Sequence, residues 1–179
     1  MATPNLPSSL EHRSDDQWVY DIFLSFRGED TRKSFVDHLY SALVRARIKT
    51  FRDDDALRRG ENISTEILNA IRGSRISIVV FSQGYASSKR CLEELAEIVR
   101  CKNTKRHTFF PVFYHVSPTD VRKQTGTFAE SFARHEERFQ KDMMRVKRWR
   151  AALTEAANCS GWDLETVNGY YTIFLIKII

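Results

Sequence analysis

Short runs of β-branched and aromatic residues alternate along the chain with longer segments in which apolar residues recur every three or four positions. The short runs predict strands and the longer segments predict helices, and their alternation is typical of βαβ units on a parallel sheet. We therefore predict an α/β protein with a parallel sheet of four or five strands, flanked by helices. The strands we predict lie at 19–26, 48–51, 76–81 and 108–114. The third is the most continuous apolar run, as expected for a central strand covered on both faces.

Turn and cap residues divide the helical segments. Asp30 is predicted to be the N-cap of a first helix that ends near residue 46, and Gly73 is predicted to end the second helix. A third helix follows the loop 82–90, and two more are predicted at 128–139 and 146–157. The chain contains no internal repeat.

Composition limits the class of protein. Of the 179 residues, 42% are hydrophobic and 12% aromatic, which is enough for one domain with a full core and too much for a disordered chain. Cys91, Cys101 and Cys159 form no CxxC pair and no zinc-ligand spacing, so we expect a reducing compartment and no metal site. Residues 1–17 are polar and charged, and we interpret them as a solvated tail.

Charge and hydropathy argue against two further classes. The formal net charge of +5 is modest and does not amount to a nucleic-acid-binding signature. The apolar stretch at 170–179 is about half as long as a membrane span and contains Lys177, so we expect no transmembrane segment.

Open parallel sheets bind ligands beyond the carboxyl ends of their strands, where the strand-to-helix loops lie. These loops are rich in Arg, Asp and Ser, which suits a polyanionic ligand that carries hydroxyl groups. The chain has no GxGxxG or GxxxxGK[ST] phosphate-binding motif and no GxSxG nucleophile elbow. The third strand ends in Val80-Phe81-Ser82, where a response regulator would need an aspartate. The four loops are 27–30, 52–62, 82–90 and 115–125.

A carboxylate at the start of the third helix is the strongest catalytic candidate. Glu94 lies three residues after Cys91 and four before Ile98, on the apolar stripe of this helix, so it should lean toward the sheet. A buried acid is costly unless it has a partner or a function. The alternative is that Glu94 merely complements the helix dipole, and we interpret Glu93 as a solvated surface residue.

The other candidates also have simpler interpretations. Arg27 and Arg58 could be surface charges, and Asp53, in a run of three acids, could simply solvate its loop. Ser88 could contact a ligand or cap the third helix. Periodicity and spacing alone leave the function open.

Five motifs follow one another along the chain: YDIFLSFRGEDTRKSFVDHLYSAL (20–43), TFRDDDALRRGENI (50–63), FSQGYASSKRCLEELAEIV (81–99), FPVFYHVSPTDVRKQTGTFAESF (110–132) and WRAALTEAANCSGWDL (149–164). In this order they resemble the plant Toll/interleukin receptor (TIR) domain. They cover roughly residues 18–164, which we take as the domain, and residues 165–179 resemble the start of a connecting helix. The resemblance implies a flavodoxin-like fold and a place in plant intracellular immune receptors, in the cytoplasm and also in the nucleus.

The resemblance also implies an activity. Plant TIR domains cleave the nicotinamide–ribose bond of NAD⁺ when they self-associate, with NAD⁺ as substrate and no further cofactor. The family's glutamate lies two residues beyond a Cys-Leu pair, which places it at Glu94. Its phosphate- and ribose-binding residues correspond to Arg27, Asp53, Arg58 and Ser88.

One departure from the family stands directly beside this motif. The family usually has tryptophan before the Cys-Leu pair, where its ring can stack on a base, whereas this chain has Arg90. A guanidinium can stack too, but it adds positive charge near the cationic nicotinamide.

The resemblance implies association with other TIR domains as a second function. The family dimerises through its first and last helices, often around a Ser-His pair that is Asp37-His38 here. Lys147, Arg148 and Arg150 fit the last-helix interface or a solvated face. A second contact would use the loop 53–61 to complete a neighbour's site. The alternative to the enzyme is therefore a non-catalytic TIR scaffold, and nucleic-acid processing has little support.

Overall fold

The computed structural model describes residues 18–53, 63–104 and 107–163 of the chain. The predicted tail at 1–17, the extension at 165–179 and Arg58 lie outside these residues. The strands are β1 Tyr20–Phe26, β2 Thr50–Arg52, β3 Ser74–Phe81, β4 Thr108–Phe113 and β5 Trp162–Asp163. The helices are α1 Gly28–Thr31, α2 Asp37–Arg45, α3 Thr65–Arg72, α4 Lys89–Thr104, α5 Pro118–Lys123, α6 Thr127–Arg138 and α7 Met143–Asn158, with a π-helical turn at Arg32–Val36 and a 3₁₀ turn at Tyr85–Ser87.

All five strands are parallel and lie in the order β2-β1-β3-β4-β5. This order confirms the predicted parallel sheet and places β3 at its centre. It also creates a switch point between β1 and β3, where successive connections leave on opposite sides of the sheet. The sequence analysis missed two short elements, the six-residue helix α5 and the two-residue strand β5.

Two apolar layers cover the sheet because successive side chains of a strand point to opposite faces. Phe23, Val79 and Phe81 join the larger layer, which is closed by α3, α4, α6 and α7. Ile22 and Val80 join the smaller layer, which is closed by the helical segment that follows β1. The predicted helices on both faces are therefore confirmed.

The first helix does not begin as predicted. Asp30 is not an N-cap, because the chain is already helical from Gly28. Its carboxylate instead accepts hydrogen bonds from Ser82 Oγ at 2.6 Å and from the amide of Gly84 at 3.0 Å. Gly73 ends α3 as predicted. In the part of the chain that the structure describes, no helix is long and apolar enough to cross a membrane.

Candidate active site

The candidate site lies where α4 packs against the carboxyl end of β1. Helix α4 begins just after Ser88, whose hydroxyl accepts a hydrogen bond from the amide of Cys91 at 3.2 Å. Ser88 therefore caps α4, one of the two roles that the sequence left open for it. The cap fixes the first turn of the helix and with it the position of Glu94.

Glu94 is buried, with 4% of its surface exposed. Its Oε2 atom accepts a hydrogen bond from Ser25 Oγ of β1 at 2.6 Å. Its Oε1 atom lies 3.4 Å from Nε of Arg90, one helical turn earlier. The side chain thus points at the end of the sheet, as its place on the apolar stripe predicted.

The surroundings of Glu94 shift the pKa of its carboxyl group close to neutral pH. Burial raises the pKa of its carboxyl from 4.5 to about 7, although the hydrogen bond from Ser25 and the charge of Arg90 both lower it. A carboxyl group with this pKa changes charge close to neutral pH, unlike a surface glutamate. Perturbed carboxyl groups of this kind are concentrated at functional sites.

Ser25 belongs to a longer chain of buried hydroxyl groups that the sequence analysis did not find. Its Oγ lies 2.9 Å from Oη of Tyr85, and Tyr85 in turn donates to the carbonyl oxygen of Cys91 at 3.0 Å. Burial and the nearby Glu94 raise the pKa of the Cys91 thiol to about 12. Cys91 is therefore protonated near neutral pH and is not a nucleophile.

Arg90 bridges two acids in the candidate site. Its guanidinium pairs with Asp53, which follows β2, and also approaches Glu94. The side chains of Arg90 and Asp53 are 19% and 11% exposed. The structure thus brings three of the predicted site residues together, Asp53, Arg90 and Glu94, with Arg90 between the two acids.

Arg27 stands at the same edge of the sheet, beyond β1. Its guanidinium pairs with Asp30 at 2.5 Å and with Glu29 at 2.6 Å. Gly84 allows this packing, because a Cβ atom there would lie 2.5 Å from Nη1 of Arg27. Burial and the charge of Glu94 raise the pKa of the Cys91 thiol. The positive charge of Arg27 lowers it by a smaller amount.

The prediction for Glu93 is wrong. Glu93 is 8% exposed, and its carboxylate accepts from Nε of Arg145 at 2.5 Å and from Nη2 of Arg148 at 3.0 Å. These bonds tie α4 to α7. Glu93 can be buried because two arginines pair with its carboxylate. Local spacing does not reveal them, since both come from a helix more than fifty residues later in the chain.

The predicted interface residues differ in exposure and in their partners. His38, Lys147 and Arg148 are exposed. Asp37 pairs with Arg52 at 2.7 Å. Arg148 also pairs with Glu93 at 3.0 Å, and Arg150 pairs with Glu136 at 2.6 Å.

Comparison with known proteins identifies the family. The family model described as "TIR domain" matches residues 19–176, and the chain therefore belongs to the TIR domain family. The chain is 55% identical, over 91% of its length, to disease resistance protein RPV1 of Vitis rotundifolia. It is 49% identical, over 83% of its length, to TMV resistance protein N of Nicotiana glutinosa. It spans 11% of the first relative and 13% of the second.

Solved structures agree with this assignment. The chain matches the TIR domains in the structure of the activated Roq1 resistosome directly recognizing the pathogen effector XopQ, with a TM-score of 0.81 and 50% identity. That match covers 89% of this chain and 96% of the other. The TIR domain of the receptor TRR-2 from Hydra magnipapillata matches with a TM-score of 0.52 and 19% identity over 89% of this chain and 98% of that one, and shows the shared fold alone. The resemblance to plant TIR domains and the expected fold are thus confirmed.

Proposed function

We propose that this domain hydrolyses the nicotinamide–ribose bond of NAD⁺, with Glu94 as the catalytic carboxylate. The reaction breaks the bond between C1′ of the ribose and the ring nitrogen, and the bonding electron pair leaves with nicotinamide. Water adds its oxygen to C1′ and releases a proton, which gives ADP-ribose-type products. Nicotinamide leaves as a neutral molecule, so the reaction does not require a general acid.

The buried carboxyl group of Glu94 at the ligand-binding edge of the sheet is the observation that carries this proposal. Departure of nicotinamide develops positive charge on the ribose, as in glycoside hydrolysis. A carboxylate in a buried setting stabilises such a charge more strongly than one in water, because the local dielectric is low. The ionised form is required, so a pKa of about 7 leaves a large ionised fraction near neutral pH.

Arg90 determines how substrate reaches this carboxylate. In the structure its guanidinium lies between Glu94 and Asp53, and we propose that the ribose takes this place beside the carboxylate. Binding therefore requires Arg90 to swing outward, where its planar fork can pair with a phosphate of the dinucleotide. Arg27, on the same edge, is proposed to hold phosphate as well, and Ser88 to contact a ribose hydroxyl with its remaining hydrogen-bonding capacity.

Self-association is part of this proposal. The related Roq1 TIR domains, 50% identical to this chain, were solved within a resistosome. We propose that this chain also associates with other TIR domains, by surfaces that include His38 and Lys147, and that it acts in disease resistance inside the plant cell. Weak contacts of this type respond to protein concentration, so turnover should rise faster than in proportion to concentration.

The proposal is tested by measuring NAD⁺ consumption and nicotinamide release at high protein concentration and under crowding. We expect Glu94→Ala to abolish release. Glu97→Ala is the matched control, since Glu97 lies on the same helix but pairs with Arg72 and Arg100 instead, and it should keep wild-type turnover. Equal release by wild type and Glu94→Ala would contradict the assignment.

A non-catalytic scaffold is the second candidate function, and one specific observation favours it. Arg90 stands where the family usually has tryptophan, and its guanidinium covers Glu94. If wild type, Arg90→Trp and Glu94→Ala all fail to release nicotinamide while an active TIR domain does so in the same assay, the domain is a scaffold. Release by Arg90→Trp alone would show that Arg90 is what silences the site.

A further inference from the structure

The buried hydroxyl chain beside Glu94 takes no part in the reaction as proposed above. It contains three oxygen–oxygen contacts, from Glu94 to Ser25, from Ser25 to Tyr85 and from Tyr85 to the Cys91 carbonyl, at 2.6, 2.9 and 3.0 Å. All three distances are within hydrogen-bonding range. Ser25 and Tyr85 are both 0% exposed, so solvent does not offer them alternative partners.

The number of hydrogens available depends on the charge of Glu94. Each contact needs one hydrogen between its two oxygens, and the two hydroxyl groups supply only two hydrogens for the three contacts. An ionised Glu94 supplies none, so one contact is left without a hydrogen. A protonated Glu94 supplies the third. It then donates to Ser25, Ser25 donates to Tyr85, and Tyr85 donates to the carbonyl oxygen.

We propose that Ser25 and Tyr85 are positioning residues that form a hydroxyl relay, which is complete when Glu94 carries a proton. When Glu94 ionises, the Ser25 hydroxyl turns around and donates to the carboxylate. Tyr85 can then satisfy either Ser25 or the carbonyl, but not both. Tyr85 therefore makes about one hydrogen bond more when Glu94 is neutral than when it is ionised, which opposes the hydrogen bond that Ser25 donates to the carboxylate. The effect of the relay on turnover rests on the proposed function.

Other groups around Glu94 act on the same equilibrium. Arg90, on its own helix, favours the ionised form, and Asp53 beyond β2 offsets part of that effect because it shares the guanidinium. From the end of β1, Arg27 adds positive charge near the neutral thiol of Cys91. None of these groups contributes a hydrogen to the three contacts, so the hydrogen count depends on Ser25, Tyr85 and Glu94 themselves.

Tyr85→Phe separates this relay from simpler arrangements. The substitution removes two hydrogen bonds from the protonated form and one from the ionised form. We therefore expect the Glu94 titration midpoint, measured by NMR of ¹³C-labelled glutamate, to fall by roughly half a unit to one unit. Glu94→Gln assigns the resonance. Tyr40→Phe is the matched control, because Tyr40 packs in the other layer beneath Arg52, and it should leave the midpoint unchanged.

The direction of the shift decides the question. A higher midpoint in Tyr85→Phe would mean that Tyr85 supports the carboxylate through Ser25, and an unchanged midpoint would mean that the groups are not coupled. Either result overturns the relay. A second measurement needs no change at position 85. The Tyr85 ¹³Cζ resonance should titrate with the same midpoint as Glu94 in wild type and lose that titration in Glu94→Gln, and a flat Tyr85 signal in wild type would refute the relay.

Neither measurement depends on turnover, so the relay and the proposed function can fail separately. If the domain does cleave NAD⁺, Tyr85→Phe should release nicotinamide about 2.5-fold to 5.5-fold faster than wild type near pH 6, since more Glu94 is ionised there. The two proteins should be equally fast above about pH 8. A slower Tyr85→Phe at the lower pH would count against the relay.

Discussion

Replacing Arg90 by glutamine tests how the positive charge of its guanidinium acts on Glu94. Nε of Arg90 lies 3.4 Å from Glu94 Oε1, and the guanidinium also pairs with Asp53. An isolated charge at about 4 Å is worth roughly 4 kcal/mol at an effective dielectric constant of about 20. Sharing with Asp53 and partial exposure reduce this energy, and we expect about 1.4 kcal/mol, which is roughly one pKa unit.

The direction of this shift follows from the charge that is lost. Without the guanidinium the ionised carboxylate is less stable, so the pKa of Glu94 should rise from about 7 to about 8. The ionised fraction at about pH 7 would fall from about one half to about one tenth. The ¹³C titration of Glu94 measures this directly, and the acid limb of the pH–rate profile should move with it.

Arg100→Gln is the matched control for this prediction. Arg100 also lies on α4, but it pairs with Glu97 at 2.7 Å, and its loss should leave the Glu94 midpoint in place. If the midpoint in Arg90→Gln stays where it is or falls, the guanidinium does not stabilise the carboxylate. Either result would refute the assigned role of Arg90 in the charge of Glu94.

Three further predictions concern stability. Glu94→Gln should be more stable than wild type at about pH 8 by about 3 kcal/mol, and the difference should vanish below about pH 4, because a raised pKa costs stability as pH rises from the unfolded toward the folded value. Urea unfolding at the two pH values checks this, and an equal difference at both would contradict it. Glu93→Gln should lower the free energy of unfolding by about 2 kcal/mol and Tm by about 4–8 °C, since Arg145 and Arg148 lose their shared carboxylate. A loss below about 0.5 kcal/mol would show that these ion pairs contribute little to stability. Ser88→Ala should cost about 1 kcal/mol through loss of the α4 cap, whereas Ser88→Asn should keep most of the stability, and equal losses in the two variants would argue against capping.

Most of the sheet could be predicted from the sequence because its strands are continuous apolar runs. The strand predicted at 76–81 is β3, Ser74–Phe81, at the centre of the sheet. Strand β5 was missed because two residues, Trp162–Asp163, carry no periodic signal. The start of the first helix was also wrong, because the Asp30 carboxylate bonds to Ser82 and Gly84, more than fifty residues away.

Only part of the candidate site could be predicted from the sequence, again because some of its contacts join residues that are distant in the chain. The position of Glu94 follows from local spacing, since it shares a helical stripe with apolar neighbours. Tyr85 gave no signal, and the one sign of Ser25 was a polar residue within the apolar run of β1. Glu93 was misjudged because the two arginines that make its burial possible come from α7. Partners distant in sequence are set by topology, which local pattern does not encode.

The pH dependence of nicotinamide release, recorded beside the ¹³C titration of Glu94 in the same protein, shows whether the Glu94 carboxylate cleaves NAD⁺. We expect release to rise with pH along an ionisation whose midpoint matches that of Glu94, near its pKa of about 7, and we expect Glu94→Gln to release none. Release that persists in Glu94→Gln, or that follows a midpoint unrelated to Glu94, would contradict the claim that this carboxylate cleaves NAD⁺.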